Sequence, residues 1–131
     1  MNKKLNRQDL LYPDLSYTIN GVLFDVFKEI GYGFQEKYYQ KATGIALKKK
    51  EISFEEQLPV TLKYRGENIG KYFLDFLIEG QIVLELKQGN YFRKQNIDQV
   101  FGYLKAKNLE LGILANFTEN GVKTKRIINL Q

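Results

Sequence analysis

The chain of 131 residues contains neither cysteine nor histidine. Without these side chains, zinc sites of the usual Cys and His type, disulfide scaffolding, and catalysis by Ser-His-Asp or Cys-His systems are excluded. Any catalysis must therefore use carboxylates, lysine, tyrosine, hydroxyl groups, or a metal ion that oxygen atoms bind. Mg²⁺ and Mn²⁺ are the natural ions for such ligands.

Long hydrophobic runs are also missing, since no apolar stretch approaches the roughly 20 residues of a membrane span. The first residues lack the apolar segment of a signal peptide, so we expect a cytoplasmic protein. Hydrophobic residues make up 44% of the chain and aromatic residues 14%, which is typical of a folded globule. We expect a polar N-terminal arm over residues 1–16 and a single domain over 17–131.

The composition is moderately basic, with a formal net charge of +5 and an isoelectric point near 9.3. This balance permits an anionic partner such as nucleic acid without requiring one, because solvated helix faces and sheet edges carry similar clusters. The basic clusters are Lys48–Lys50, Arg93-Lys94, Lys105 with Lys107, and Lys123 with Lys125-Arg126. The first of them ends a predicted helix, where the helix dipole already favours positive charge.

Two helices are predicted in the first half of the chain. The first covers about residues 17–30, with Ser16 as its cap, because apolar residues recur there at helical spacing. Two glycines within the next three residues favour a turn. The second helix covers about residues 34–50. Its predicted inner stripe consists of Tyr38, Ala42, Ile45 and Ala46.

The remaining sequence favours strands around one further helix. The predicted elements are strands over 52–64, 70–79 and 82–87, a helix over 92–107, and strands over 110–116 and 122–130. A meander that is followed by a crossover helix and a buried strand predicts an α/β fold, in which helices flank a mixed β-sheet.

Two carboxylates lie on neighbouring predicted strands, Asp75 on one and Glu85 on the next. In an antiparallel pair they lie opposite each other if Ile78 pairs with Ile82, which leaves a three-residue loop centred on Gly80. A loop of even length would place them on opposite faces of the sheet, because side chains alternate along a strand.

The same alternation places Phe73, Asp75 and Leu77 on one face, and Lys87 on one face with Glu85. Opposed carboxylates repel each other, and a divalent cation between them resolves that conflict. Lys87 could then orient a metal-bound water molecule and offset charge on a phosphate group. Taken alone, Glu85 and Lys87 also fit an exposed ion pair, and Asp75 also fits a strand-edge carboxylate that reaches solvent.

Further candidates lie on the predicted helices. Gln99 and Tyr103 are four residues apart on the third helix, hence on one face of it. Gln99 falls off the apolar stripe, which favours a polar role, whereas Tyr103 fits a core position equally well. Glu36 lies in the first turn of the second helix, where the dipole favours an acidic residue even without a function.

Seven short blocks then follow one another along the chain. They are Gly33–Tyr39, which fits a G-x-x-E-x-x-Y signature, Glu56–Val60, Tyr64–Gly66, the Asp75 strand, Glu85-Leu86-Lys87, Gln99 with Tyr103-Leu104, and Leu111–Phe117. In this order the blocks resemble the GxxExxY proteins, a branch of the PD-(D/E)XK nuclease superfamily. The resemblance covers about residues 17–131 and implies the restriction-endonuclease-like αββαβ core of that superfamily.

The resemblance also implies a metal site for Mg²⁺ (or Mn²⁺). By this match Asp75 and Glu85 are metal ligands, and the carbonyl group of Leu86 is a further ligand. Glu36 corresponds to an additional acidic ligand or to a group that orients water.

The catalytic residues that the resemblance implies are Lys87, Gln99 and Tyr103. Lys87 matches the catalytic lysine, and the other two match a Q-x-x-x-Y element beside the site. The chain departs from the family pattern at Phe73 and Leu74, where a basic residue is expected, and at Asn96, where a histidine is expected. None of these differences removes a proposed ligand or the lysine.

These observations predict a metal-dependent nuclease that hydrolyses phosphodiester bonds in nucleic acid, with DNA favoured over RNA as its partner. One alternative is a catalytically inactive nucleic-acid-binding or regulatory module on the same fold. A third is an interaction protein whose strand 122–130 pairs with a copy of itself, giving a homodimer.

Overall fold

A computed structural model describes residues 11–130, so the first ten residues of the expected arm lie outside the described part. The helices are α1 (Pro13–Ile30), α2 (Glu36–Lys49) and α3 (Lys94–Lys107). The strands are β1 (Phe54–Tyr64), β2 (Glu67–Ile78), β3 (Ile82–Gln88), β4 (Leu111–Thr118) and β5 (Gly121–Ile128). Among these residues, no helix is long and apolar enough to span a membrane.

The five strands form one sheet in the order β1-β2-β3-β4-β5. Only β3 and β4 run parallel, and α3 is the crossover between them, while the other neighbours are antiparallel. Helices α1 and α2 cover one face of the sheet and α3 covers the other, which we call the α1/α2 face and the α3 face. The predicted mixed sheet flanked by helices is therefore confirmed.

The start of α1 corrects two expectations. The helix begins at Pro13, whose ring presets a helical φ angle, so the last four residues of the expected arm are helical. Ser16 is consequently not the cap. It is buried within the helix, and its hydroxyl group accepts a hydrogen bond from Arg126 on β5 at 3.0 Å.

The inner stripe predicted for α2 is half right, since Ala42 and Ala46 pack against the core but Tyr38 and Ile45 do not. Tyr39, Thr43 and Leu47 are the buried side chains, whereas Tyr38 and Ile45 are each 50% exposed. The reason is that α2 packs on the sheet as well as on α1, and a sheet contact selects a different arc of the helix. The Tyr39 ring stacks on Phe117 of β4, with ring centres 4.0 Å apart.

Close packing of α3 on the sheet depends on Gly112 of β4. A Cβ atom at this position would lie 2.5 Å from a side-chain carbon of Val100. We therefore expect Gly112→Ala to lower the free energy of unfolding by about 1–3 kcal/mol through overpacking. Urea unfolding measures this change.

A matched control for that experiment is Gly102→Ala on α3 itself. Outside the backbone of its own helix, no atom lies within 4 Å of a Cβ at Gly102, so alanine should stabilise the helix by about 0.5–1 kcal/mol. Equal effects of the two substitutions would contradict the close contact between α3 and β4.

Candidate active site

The turn between β2 and β3 sets the register of the two candidate carboxylates. Ile78 pairs with Ile82 and Phe76 pairs with Leu84, so the connecting loop contains the three residues that the sequence predicts. In this register Asp75 and Glu85 are the next opposed pair. The predicted pairing of the two strands is confirmed.

At Asp75 and Glu85, hydrogen bonds to side chains replace the backbone-to-backbone hydrogen bonds between β2 and β3. The Asp75 amide donates a hydrogen bond to Oε1 of Glu85 at 2.9 Å, and the Leu86 amide donates one to Oδ2 of Asp75 at 2.8 Å. Each carboxylate is thus fixed by an N–H group on the opposite strand. The two carboxyl groups are brought together as the parity of the loop predicts.

The hairpin of β1 and β2 changes face at the same position. Phe76 packs on the α1/α2 face and Leu74 on the α3 face, although regular alternation would put both on one side. The opposite residue on β1, Gln57, has a left-handed backbone with φ of 55°. Phe73 and Leu77 therefore lie on different faces, and the expectation that they share one is wrong.

Burial makes the two carboxyl groups hard to ionise together. The side chain of Glu85 is only 5% exposed. Its burial, and next the negative charge of Asp75, raise the pKa of Glu85 to about 8. Burial likewise raises the pKa of Asp75, against the opposing effects of the Leu86 amide and of Lys87. The pair therefore retains a proton near neutral pH.

Lys87 lies between two carboxylates from different parts of the chain. Its Nζ atom is 3.7 Å from Oε2 of Glu85 and 3.8 Å from Oε1 of Glu36. The other oxygen of Glu36 accepts a hydrogen bond from the Gln88 amide at 3.2 Å. Four of the predicted site residues, Glu36, Asp75, Glu85 and Lys87, are thus neighbours.

Within residues 11–130, no three acidic side chains are grouped closely enough to bind a metal ion.

Tyr39 holds the start of α2, and with it Glu36, near the site. Sequence spacing alone did not reveal this role of Tyr39. Its hydroxyl group donates a hydrogen bond to the Gly31 carbonyl at 2.6 Å and accepts one from the Phe34 amide at 3.5 Å. These bonds close the turn before α2, in which Gly33 has a φ of 103° that favours glycine. The start of α2, and with it Glu36, is thereby fixed beside β3.

Gln99 and Tyr103 are not joined to this group by hydrogen bonds in the part of the chain that the structure describes. Tyr103 is buried on the α3 face, where burial and then the negative charge of Glu55 raise its pKa. It therefore occupies a core position. Gln99 is half-buried on the same helix, one turn nearer its start.

Asn116 is a further neighbour of Lys87. It lies in the Leu111–Phe117 block of the sequence, but was not predicted to be a site residue. It pairs with Lys87 across β3 and β4 and is 2% exposed. Its amide nitrogen donates a hydrogen bond to the Tyr91 carbonyl at 2.7 Å. Its amide oxygen is buried and has no hydrogen-bond partner among the described residues.

Fold and site together define a class of protein. A mixed sheet with one parallel pair, and two carboxylates and a lysine on adjacent strands, are the features of a restriction-endonuclease-like domain. The family model of the PD-(D/E)XK nuclease superfamily matches residues 13–127, and the chain belongs to this superfamily. Its nucleases typically use divalent metal ions. The narrower GxxExxY assignment stays a prediction.

Comparison with known proteins adds support for the fold alone. None of the curated proteins matches this chain. Among solved structures, one described as the crystal structure of SSO0001 is similar, with a TM-score of 0.52 and 19% sequence identity. The match covers 95% of this chain and 62% of that one, so the chain spans less than two thirds of its relative.

Proposed function

We propose that the protein is a metal-dependent nuclease that hydrolyses phosphodiester bonds in nucleic acid, with DNA as the favoured substrate. One observation carries the proposal. The buried Glu85 and the half-buried Asp75 are each fixed by an amide group of the opposite strand, and Lys87 lies 3.7 Å from Glu85. An arrangement that costs this much in desolvation and charge repulsion is typical of functional sites.

The site fits a divalent metal ion in its chemistry. Every side-chain donor is an oxygen atom, and a cation would replace the proton that the carboxyl pair retains. Asp75 and Glu85 would bind Mg²⁺ or Mn²⁺, together with the Leu86 carbonyl. Such an ion supplies Lewis acidity and activates a water molecule. Because Lys87 separates Glu36 from Glu85, the geometry favours Glu36 as the group that orients Lys87 and water.

Lys87 has the second essential role in this proposal. Its ammonium group donates hydrogen bonds to the attacking water and to the phosphate, where negative charge develops. Glu36 and Glu85 hold the ammonium group in place from two sides. We assign Gln99 to substrate contact from the α3 face, and Tyr103 to positioning of that helix.

The experiment is a cleavage assay on labelled single- and double-stranded DNA and RNA with Mg²⁺, Mn²⁺ or EDTA. Asp75→Asn should abolish the metal-dependent cleavage that the wild-type protein shows. Asp25→Asn is the matched control, because Asp25 is exposed on α1. Cleavage that survives equally in both variants would indicate a contaminating nuclease and would refute the assignment.

An inactive nucleic-acid-binding module is the second candidate, and one contact favours it. The Lys87 ammonium group lies 3.7 Å from Glu85 and 3.8 Å from Glu36, and together with the proton that the carboxyl pair retains it offsets two of the three negative charges, so the site can exist without a metal ion. This alternative predicts binding that weakens with salt and no cleavage with any divalent ion. The same assay, extended with a binding measurement, separates the two functions.

A further inference from the structure

A row of polar side chains crosses the sheet beside the candidate site. Lys87 pairs with Asn116, and Asn116 pairs with Lys123 on β5. Paired residues project from the same face, and neighbouring strands are about 4.8 Å apart, so Lys123 lies about 10 Å from Lys87. A second positive charge thus stands on the site's own face of the sheet.

The basic residues of β5 project from both faces of the sheet. Lys125 pairs with Leu114, which packs on the α3 face, so Lys123 and Lys125 both belong to that face. Both are exposed. Arg126 points to the other face. There it donates hydrogen bonds to the hydroxyl group of Ser16, within α1, and to the carbonyl group of Leu11, just before α1. Only the two lysines are therefore available to a ligand at the site.

β5 is also an edge strand, which could pair with a second copy of the chain. Lysine side chains along an edge oppose such pairing, because they would bring like charges together. The same charges attract an anionic chain. The edge is accordingly better suited to a phosphate backbone than to another strand.

An exposed aromatic residue is attached to this row through its backbone. Tyr91 is 82% exposed, yet its carbonyl group accepts a hydrogen bond from the buried Asn116 amide. The loop is anchored at its start as well, where the Gly89 amide donates to the Phe117 carbonyl at 3.1 Å. A solvent-facing ring on an anchored loop is suited to base stacking, which contributes about 1–3 kcal/mol per base.

We propose that a single-stranded nucleic acid runs from the candidate site across β4 and β5. Its phosphates lie on Lys123 and Lys125, and one of its bases stacks on Tyr91. The strand is single because a base inside a duplex is stacked on both faces by its neighbours and cannot present a face to the ring. This inference rests on the proposed function, since it places the phosphate under attack at Lys87.

Binding is measured by fluorescence anisotropy in EDTA, so that no cleavage occurs. The probes are single-stranded DNA and RNA of about 15 nucleotides, within the range such surfaces cover, and a DNA duplex several times longer, in which end base pairs are few. Lys123→Ala/Lys125→Ala should weaken single-strand binding roughly 25-fold at about 0.1 M salt and reduce the salt slope by about 1.4. Lys48→Ala/Lys49→Ala removes the same charge from the end of α2 and should leave the slope unchanged.

The stacking contact has its own matched pair. Tyr91→Ala should weaken single-strand binding by about 5- to 100-fold, and Tyr91→Phe should restore it, because the ring is the binding group. Tyr17→Ala is the control, since Tyr17 is 81% exposed on α1. Duplex binding should be insensitive to both tyrosine positions. Comparison of the DNA and RNA strands shows which sugar the path accepts.

Three results would overturn the inference, and each refutes a different part of it. If the wild-type protein cleaves nucleic acid but both lysine pairs weaken binding equally, the path over β5 is wrong and the proposed function remains. If Tyr91→Ala weakens duplex and single-strand binding alike, the assignment to a single strand is wrong. If the wild-type protein neither binds nor cleaves any probe, the proposed function fails together with the path.

Discussion

Replacing Lys87 by methionine is expected to lower the rate of phosphodiester cleavage by about 10³-fold, the scale at which a positioned charge or proton donor contributes. The substitution keeps most of the side-chain length and removes the ammonium group that lies 3.7 Å from Glu85 and 3.8 Å from Glu36. The metal ligands stay in place. Single-turnover cleavage at saturating Mn²⁺ isolates this effect from binding.

Lys28→Met is the control for that substitution, because Lys28 is exposed on α1. Its cleavage rate should match that of the wild-type protein. A Lys87→Met rate within a few-fold of wild type would show that the lysine is only a partner of Glu85 and Glu36. Loss of Mn²⁺ binding in the same variant would instead show that the site had collapsed.

The metal-free protein is expected to lose stability as the pH rises from about 4.5 to about 8. The pKa of Glu85 is about 8 in the folded protein, against an ordinary value of 4.5, so the folded state binds a proton that the unfolded chain has released. Stability from this group is complete below pH 4.5 and is lost as the pH passes 8. One such proton contributes a slope of at most about 1.4 kcal/mol per pH unit.

Urea unfolding in EDTA at a series of pH values measures this slope. Glu85→Gln keeps the shape of the side chain without its charge, so the fall between pH 5 and pH 8 should become shallower. Asp25→Asn should leave the slope unchanged, because that carboxylate is exposed. An identical pH dependence in Glu85→Gln and the wild-type protein would contradict the buried, protonated pair.

The register of β2 and β3 could be predicted because it depends on parity. Once Ile78 was placed opposite Ile82, the alternation of side chains fixed Asp75 and Glu85 as an opposed pair. Glu36 was predicted to be a site residue from the G-x-x-E-x-x-Y signature and not from its spacing to the other candidates. The helices and strands could also be predicted from the sequence, because the spacing of their apolar residues is a local property of the sequence.

Other features depend on contacts that the sequence does not display. Gln57 adopts a left-handed conformation in the middle of a strand, and this reverses the faces of the hairpin beside Asp75. The buried arc of α2 follows from its contact with Phe117, which lies far along the chain. Tyr39 was visible as part of a motif, but its two hydrogen bonds to the preceding turn required the folded backbone.

Metal binding by Asp75 and Glu85 together is the proposal on which the proposed function depends. A crystal structure of the protein soaked in Mn²⁺ tests it most directly, with anomalous scattering to identify the ion. We expect a Mn²⁺ peak between the two carboxylates in the wild-type protein, and none there in Asp75→Asn crystals. A fully soaked wild-type crystal without metal density between Asp75 and Glu85 would contradict it.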